Sequence, residues 1–305
     1  MKDLNIDDFN PIELADSDIF REKLSILNRR SCECNFNNLF FWSPVYDQQY
    51  LEFEGRLLVC AFAINEAMFP IGPPFSPAEL AAVMKKLCCR KQLCGWVYDV
   101  PEEYVDENRK ALEQYFHIET SEDYYDYIYS AESLTELQGE RLNKKRNLIH
   151  QFHHEYPNAY SEPLSGQNAA EALRFALAIN ALISAGTDML EDEGEALKRA
   201  LANFDKLTAE GLVLRDSEGK IIAFAMFSQG FSDTADVHFE KADREYKGAS
   251  QVINQLTAEL LHNRGVKYIN REQDLGLPGL RQAKHSYEPE FLLKRYRLGL
   301  KKKEE

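Results

Sequence analysis

Residues 210–229 read EGLVLRDSEGKIIAFAMFSQ, and this stretch decides the fold of the chain. Two runs rich in apolar and β-branched residues, Glu210–Asp216 and Ile221–Gln229, lie on either side of the polar turn Ser217–Lys220. Runs of this kind around a glycine-containing turn predict an antiparallel β-hairpin. Thr234–Lys241 alternates apolar and polar residues, which predicts a third strand beside the hairpin.

Helices and one further strand are predicted around these three strands. Gln167–Ala185 and Leu190–Ala209 precede them, with apolar residues at helical spacing. A loop of small residues, Tyr246–Ser250, leads into the helix Gln251–Arg264 and the apolar strand Val266–Asn270. Two helices, three antiparallel strands, a glycine loop, a helix and a strand form the element order of the acetyltransferase superfamily. The order therefore predicts an α/β (α+β) domain of the GNAT-like, acyl-CoA N-acyltransferase type, with a mixed sheet flanked by helices.

The first half of the chain repeats this order more loosely. Asn35–Trp42 is aromatic and rich in turn-forming residues, and a predicted hairpin follows in Tyr50–Ile64. Helices and strands are then predicted in alternation: Pro77 to about Cys89 (helix), Leu93–Val100 (strand), Glu102–Tyr115 (helix), Glu122–Tyr129 (strand) and Ser133–Glu155 (one helix or a pair).

The repeated order predicts two tandem domains. We expect an N-terminal GNAT-like domain at residues 1–155 and a C-terminal one at residues 160–305. The boundary is placed near residues 155–165, where Tyr-Pro, Glu-Pro and Ser-Gly pairs accumulate. The first domain is expected to serve mainly as scaffold, and the second to carry the functional site.

Length and composition restrict the class of protein. The chain has 305 residues, of which 44% are hydrophobic and 28% charged, as expected for a soluble protein with real cores. It contains no run of about 18 apolar residues, so no membrane span is predicted. The acidic N-terminus has no apolar segment of the kind found in secretory signals. We therefore expect a cytoplasmic protein.

The net charge of −14 argues against binding DNA through a basic surface. Lys144, Lys145 and Arg146 nevertheless form a local basic cluster. They are candidates for contact with the phosphates of a donor such as a transfer RNA, and a solvated helix face is the alternative. Because three adjacent residues cannot share one face of a helix, at most two are expected to act together.

The six cysteines all lie in the first third of the chain: Cys32, Cys34, Cys60, Cys88, Cys89 and Cys94. None of their spacings is the C-x₂-C pattern that lets two thiolates bind one zinc ion. We expect reduced thiols that pack in apolar surroundings, and no metal site.

Residues 279–291 read GLRQAKHSYEPEF. The Leu-Arg pair at 280–281, the lysine three residues later at Lys284, the aromatic Tyr287 and then Pro289 resemble the closing motif of phosphatidylglycerol lysyltransferase catalytic domains. The motif resembles that of the Fem peptidyltransferases more distantly. The whole chain is similar to an uncharacterised bacterial family grouped with this lysyltransferase domain.

The resemblance implies two fused acetyltransferase-type domains that move an aminoacyl group from a charged transfer RNA to an amine or hydroxyl of a lipid or peptide. It also implies that Lys284 neutralises charge on the carbonyl oxygen or on a phosphate of the donor. Arg281 is a second candidate donor to an oxyanion. We expect neither the membrane-embedded half of the lysyltransferases nor the coiled-coil arm of several Fem enzymes in this sequence. The acceptor is therefore left open among a small molecule, a peptide and a lipid.

Carboxylates and a histidine near the last predicted strand are candidates for proton transfer. Glu272 and Asp274 follow that strand directly and are placed to act as general base or to bind an ammonium group. A structural role in the loop is the alternative. His238 lies in the middle of the third strand, and simple alternation places it on one face with Asp236 and Glu240, towards a pocket.

The loop before the central helix is a candidate donor site. The backbone amides of Gly248, Ala249 and Ser250 lie where acetyltransferases hold the pyrophosphate of coenzyme A at a helix N-terminus. Glu245 occupies the first position of this loop and would repel a pyrophosphate. The alternative is a tight turn that needs glycine at residue 248. Both acyl-CoA and aminoacyl-tRNA therefore stay open as donors.

The sequence supports two functions of different classes. The first is an acyl- or aminoacyltransferase acting on an acceptor that bears an amine or a hydroxyl. The second is a catalytically inactive binding or regulatory module that keeps the fold. The sequence has no P-loop, no G-x-S-x-G elbow and no H-E-x-x-H motif, so NTPase and hydrolase functions are unsupported.

Overall fold

The computed structural model describes residues 4, 6–27, 29–88, 93–183, 188–230 and 233–301. The strands in chain order are β1 (Asn10–Pro11), β2 (Gln48–Phe53), β3 (Arg56–Ala61), β4 (Glu66–Met68), β5 (Trp96–Pro101), β6 (Phe116–Glu119), β7 (Asp126–Ser130), β8 (Tyr160–Pro163), β9 (Glu210–Arg215), β10 (Ile221–Gln229), β11 (Thr234–Ala242), β12 (Tyr268–Asn270), β13 (Phe291–Leu293) and β14 (Arg295–Leu300). The helices are α1 (Ser17–Ser25), α2 (Phe36–Tyr46), α3 (Pro77–Cys88), α4 (Glu102–Leu112), α5 (Ala131–Glu136), α6 (Asn143–Glu155), α7 (Gly166–Ile183), α8 (Asp188–Ala202), α9 (Ala249–Asn263) and α10 (Pro278–His285).

The chain forms two compact units. One consists of Met1–Tyr125 together with Leu293–Glu305, and the other of Asp126–Leu292. The boundary predicted at residues 155–165 differs from this division. β7, α5 and α6 belong to the second unit, and β14 returns to the first.

Among the described residues, each sheet has seven strands, and the two sheets have the same topology. The first has the order β1-β2-β3-β4-β5-β14-β6, and the second has the order β8-β9-β10-β11-β12-β7-β13. In each sheet the fourth and fifth strands are parallel, joined by a crossover that contains α3 in the first and α9 in the second. The sixth strand of the first sheet is β14, from the C-terminal end of the chain, and that of the second sheet is β7, from the N-terminal half. The two halves therefore repeat one topology and exchange one strand with each other.

Helices cover both faces of the second sheet, which positions the candidate site. On one face, Val252 and Ile253 of α9 share a buried cluster with Ala223, Ala225 and Phe227 of β10. This is called the α9 face. Burial of such side chains stabilises the unit by about 1.5–3 kcal/mol each.

On the opposite face, the ring of Phe175 in α7 meets the ring of Phe224 in β10, with 6.3 Å between their centroids. This is called the α7 face. Because side chains alternate along a strand, Met226 and Ser228 lie on the same face as Phe224.

The structure confirms the predicted α/β class, with two mixed sheets and helices, and the hairpin quoted at the start. The segment Ser133–Glu155, predicted as one helix or a pair, lies largely in the two helices α5 and α6. Asn35–Trp42, which was expected to be rich in turns, instead lies largely in α2. Asn35 is its N-cap, because the side chain accepts a hydrogen bond from the amide of Asn37 at 3.0 Å.

The cysteines have different environments. Cys32, Cys34 and Cys60 are buried, Cys88 is half-buried, and Cys94 is exposed, which corrects the expectation that all of them pack in apolar surroundings. Cys89 lies outside the described residues. Within the described ranges, no helix combines the length and apolar character needed to cross a bilayer.

Candidate functional site

The second sheet opens between its two parallel strands. β11 pairs with β12 only from Thr234 to Asp236, which lies opposite Asn270. β11 nevertheless continues to Ala242. In the part of the chain that the structure describes, the rest of β11 forms no ladder with the residues after β12, and side chains from β11 and from residues 271–274 meet across the opening. We call this opening the β11–β12 gap.

A β-bulge lies directly after β12. The backbone of Tyr127 in β7 accepts a hydrogen bond from the amide of Arg271 at 3.0 Å and donates one to the carbonyl of Glu272 at 3.1 Å. Two residues thus oppose one, and Glu272 has a φ of 57°, in the left-handed region that few non-glycine residues adopt. The bulge sends the side chains of Arg271 and Glu272 to different faces of the sheet.

A second bulge lies in β11 itself. Phe227 pairs with Val237 while Met226 pairs with Phe239, so His238 is the extra residue. This corrects the predicted shared face, because the extra residue changes the alternation. Asp236 lies opposite Ser228 on the α7 face, and Glu240 lies opposite Ala225 on the α9 face. Bulges of this kind occur preferentially next to active sites.

On the α7 face, a histidine connects a serine to the bulge carboxylate. The Nε2 of His238 lies 2.8 Å from Ser228 Oγ, and its Nδ1 lies 3.3 Å from Glu272 Oε1. The imidazole is fully buried, and this burial lowers the pKa of His238 to about 4, against a smaller opposing effect of Asp236. The imidazole is therefore neutral at pH 7.

On the α9 face, cations collect around one carboxylate. Arg271 Nη2 lies 3.0 Å from Glu240 Oε1, and Asn254 of α9 donates to Glu240 Oε2 at 3.1 Å. Lys145 Nζ lies 3.9 Å from the centroid of the Tyr287 ring, and the Arg271 guanidinium lies 5.1 Å from the same centroid. Burial, with the neighbouring charge of Arg271 as a further cause, lowers the pKa of Lys145 to about 8.

Lys284 stabilises the backbone of the bulge after β12. Its Nζ donates to the carbonyl of Arg271 at 2.6 Å and to the carbonyl of Gln273, and the residue is 7% exposed. These carbonyls flank Glu272 on both sides. In this structure the lysine of the motif therefore fixes the backbone that carries the candidate carboxylate.

Asp274 and Arg281 organise the following loop. The buried carboxylate of Asp274 accepts from the Tyr127 hydroxyl at 2.6 Å, from Arg281 Nε at 2.7 Å and Nη2 at 2.8 Å, and from the amide of Gly276 at 2.8 Å. Burial alone would raise the pKa of Asp274, but these donors outweigh it and hold the pKa at about 2. The contacts support the structural interpretation of Asp274, with Arg281 as its partner.

Helix α6 covers the loop that was a candidate for coenzyme A. A Cβ built on Gly248 would lie 2.4 Å from the carbonyl oxygen of Leu148 and 2.9 Å from the Cβ of Phe152. Ala249 is fully buried and its amide already donates to the carbonyl of Tyr246 at 3.0 Å, whereas Ser250 is half-buried. The geometry favours the alternative in which glycine at residue 248 serves close packing.

This packing yields a prediction for the two glycines that bracket α9. Gly265→Ala is expected to cost about 1–2 kcal/mol of unfolding free energy, because its φ is 86° but no atom lies within 4 Å of the added Cβ. Gly248→Ala, with a φ of 94°, is expected to cost about 1–3 kcal/mol more, because a helix backbone stands in the way. Urea unfolding of both variants measures the difference. Equal losses would contradict the tight contact with α6.

The basic cluster separates as its spacing predicted. Lys144 is exposed. Arg146 points to the end of α5 and donates to the carbonyls of Leu137 and Gly139. Of the three, Lys145 alone contacts the residues around the β11–β12 gap.

Sequence reasoning did not single out Arg271, Ser228 or Tyr127. Arg271 was open to prediction, since it stands between the last predicted strand and Glu272. Ser228 carries no local signal, because it ends a strand of apolar residues. Tyr127 enters the site through the exchanged strand β7, and its sequence neighbours give no sign of this.

The first unit carries a bulge at the corresponding point. Val97 pairs with Leu298 and Val100 pairs with Tyr296, so Tyr98 and Asp99 together oppose one residue. Asp99 has a φ of 56°, like Glu272. Its partners, however, come from its own unit: Ser31 Oγ at 2.6 Å, Arg295 Nη1 at 2.9 Å and Cys34 Sγ at 3.7 Å. The carboxylate of Asp99 is therefore already hydrogen-bonded by side chains of the first unit.

Comparisons with known proteins agree with this architecture. The family model described as "Phosphatidylglycerol lysyltransferase, C-terminal" matches residues 24–299. A conserved protein of unknown function from Bacteroides thetaiotaomicron is 31% identical, with a TM-score of 0.87 over 96% of this chain and 99% of that one. L-PGS from Bacillus licheniformis is 14% identical, with a TM-score of 0.65 over 94% of this chain and 92% of that one.

FemX is 9% identical, with a TM-score of 0.61 over 99% of this chain and 98% of that one. The uncharacterized protein MYCGA3080 of Mycoplasmoides gallisepticum is 23% identical over 180 residues, and the chain spans about half the length, 54%, of this curated relative. The topology and these similarities confirm the predicted fold class, two tandem GNAT-like domains.

Proposed function

The chain belongs to the phosphatidylglycerol lysyltransferase C-terminal family, and on this basis we propose that it transfers an amino acid from an aminoacyl-tRNA to an amine or hydroxyl. The acceptor is a lipid, a peptide or a small molecule. Aminoacyl-tRNA is made in the cytoplasm, and we propose that the chain acts there.

The observation that carries the proposal is the bulge at Arg271 and Glu272. It places a cation on the α9 face of the β11–β12 gap and a carboxylate on the α7 face. Acyl transfer uses both kinds of group, a cation that stabilises charge on the donor and a carboxylate that accepts the proton of the acceptor.

The donor is assigned to the α9 face. Arg271 and Lys145 provide two cations there, against the single carboxylate of Glu240. They suit the phosphodiester and ribose at the end of a transfer RNA, which are anionic and polar. An acyl-CoA donor is disfavoured, because α6 covers the amides at Gly248 that would hold its pyrophosphate.

The acceptor is assigned to the α7 face. A hydroxyl acceptor gives its proton to Glu272 as the new bond to the carbonyl carbon forms. An ammonium acceptor first loses one proton to solvent, and the free amine then attacks while Glu272 takes the next proton from its nitrogen. The ester bond to the ribose oxygen then breaks, and that oxygen receives the proton as it leaves. Lys284 keeps the backbone on both sides of Glu272 in place during these steps.

A binding module without catalysis is the second candidate. It is favoured by the Glu272–His238 hydrogen bond and the Arg271–Glu240 ion pair, which join the two sides of the gap. A module would keep these pairs closed, and an enzyme must open them when the donor enters.

Thermal unfolding with chosen ligands tests the donor assignment. Transfer RNA that carries an amino acid through a stable 3′-amide is expected to stabilise the chain by about 2.7 kcal/mol at about 100 times its Kd. Uncharged transfer RNA should stabilise it less, and coenzyme A and acetyl-CoA should have no effect. Lys145→Gln is expected to weaken this stabilisation, and the exposed neighbour in Lys144→Gln serves as matched control.

Two outcomes would count against the assignment. Stabilisation by acetyl-CoA would show that the loop at Gly248 opens for a pyrophosphate. Stabilisation by charged transfer RNA without any transfer to phosphatidylglycerol vesicles or to a lysine-containing peptide would favour the binding module.

A further inference from the structure

Three polar side chains form a continuous chain on the α7 face. Ser228 Oγ, the imidazole of His238 and the carboxylate of Glu272 follow one another at 2.8 Å and 3.3 Å. They come from β10, β11 and the bulge after β12, so three neighbouring segments of the sheet supply one residue each. A serine, a histidine and an acid in hydrogen-bond contact have the composition of a nucleophilic triad.

The exposure of the three side chains is the reverse of that in a nucleophilic triad. There the serine meets the substrate and the acid is buried behind the histidine. Here Ser228 is 2% exposed and the imidazole is fully buried, whereas the side chain of Glu272 is 19% exposed. The carboxylate is therefore the end of the chain that faces the β11–β12 gap, and the serine is the anchor.

The hydrogen bonds also have a defined direction. An ionised carboxylate can only accept, so His238 Nδ1 carries the proton that it shares with Glu272. Because the buried imidazole is neutral, Nε2 then holds a lone pair, and Ser228 must donate its hydroxyl proton to it. Each link thus determines the next, from the carboxylate to the serine.

We propose that Ser228 and His238 are positioning residues: Ser228 anchors the imidazole through Nε2, and the imidazole donates from Nδ1 and so holds the Glu272 carboxylate in the orientation needed to take the acceptor's proton. The proposal rests on the proposed function for its catalytic meaning, but not for the tautomer. The left-handed backbone of Glu272 supports it, since a residue in this region keeps its conformation only when its surroundings impose it.

Nitrogen NMR of imidazole-labelled protein tests the tautomer without any assay of activity. At pH 7 the His238 ring is expected to carry its proton on Nδ1, with the signal assigned by its loss in His238→Asn. Ser228→Ala is expected to keep the proton on Nδ1, because the Glu272 carboxylate still accepts it, but to shift the Nε2 signal, because Nε2 loses the serine hydroxyl as donor. Ser228→Thr, which keeps a hydroxyl, is expected to restore the Nε2 signal of the unchanged protein. A proton on Nε2 in the unchanged protein, or an unaltered signal in Ser228→Ala, would overturn the proposal.

Kinetics tests the consequence for Glu272. Ser228→Ala is expected to lower kcat about tenfold or more with little change in KM for charged transfer RNA, because small displacements of a catalytic group are costly. Ser228→Thr should recover most of this loss. His238→Asn retains an N–H near the Nδ1 position and should be more active than His238→Leu.

The two proposals fail in different ways. If the unchanged protein has the Nδ1 tautomer but transfers nothing from any charged transfer RNA, the proposed function is contradicted. The hydrogen bonds from Ser228 through His238 to Glu272 then stand independently of it. Full activity of both Ser228→Ala and His238→Leu would contradict the positioning role even if transfer is confirmed.

Discussion

Lys284→Ala is expected to remain folded and to lose aminoacyl transfer by about 100- to 1000-fold. The lysine donates to the carbonyls of Arg271 and Gln273, which lie on either side of Glu272. Without it, two carbonyls lose a charged donor, which costs about 1–3 kcal/mol of unfolding free energy. The larger effect falls on catalysis, because the bulge that directs Arg271 and Glu272 to their faces loses its support.

Transfer of radiolabelled amino acid from a mixture of charged transfer RNAs measures this loss, with phosphatidylglycerol vesicles or a lysine-containing peptide as acceptor. The matched control is Lys241→Ala. Lys241 is similarly buried, and its Nζ lies 2.6 Å from Glu193 on the α7 face. It should lose comparable stability and keep full transfer.

Lys284→Gln separates two explanations of the same loss. A glutamine amide can donate to one of the two carbonyls, so a supporting role predicts partial activity. A role in neutralising donor charge, which the family motif implies, predicts that glutamine is as inactive as alanine. Wild-type transfer by Lys284→Ala would rule out both roles.

The fold was largely predictable because its signals are local. The hairpin around Ser217–Lys220 follows from strand propensity and turn residues, and α9 follows from helical periodicity. The exchange of β7 and β14 was not predictable in this way. Which strands pair depends on contacts between distant segments, and an apolar strand fits either sheet equally well by its own pattern.

The candidate site was predictable in part. The motif pointed to Lys284, and the end of β12 pointed to Glu272. In the structure Lys284 binds the backbone carbonyls of the two residues that flank Glu272. His238 was placed on the wrong face relative to Glu240, because a single extra residue in β11 reverses the alternation and leaves no mark in the sequence. Ser228 was missed for the same reason, because the bulge in β11 brings its partner His238 onto the same face of the sheet.

The repeated bulge explains why one unit carries the site. Asp99 occupies the point that corresponds to Glu272, but Ser31 and Arg295 already use its carboxylate. The Asp99 side chain is also 1% exposed, so an acceptor has no access to it. The Glu272 side chain, by contrast, is 19% exposed and faces the β11–β12 gap.

Glu272→Gln is expected to lower kcat for transfer by about 100- to 10,000-fold, the range of general-base catalysis. Glutamine has nearly the same shape, and its amide oxygen can still accept from His238 Nδ1. The fold and the left-handed backbone at residue 272 should therefore persist. What is lost is the capacity to take a proton from the acceptor.

The change should leave donor binding intact, because Arg271 and Lys145 lie on the other face. Charged transfer RNA with a stable 3′-amide should therefore stabilise Glu272→Gln as much as the unchanged chain. Glu193→Gln is the matched control: it removes a half-buried carboxylate paired with Lys241 and should not alter kcat. An unaltered kcat in Glu272→Gln would remove the base from the mechanism, whereas lost donor binding would place Glu272 on the donor side of the β11–β12 gap.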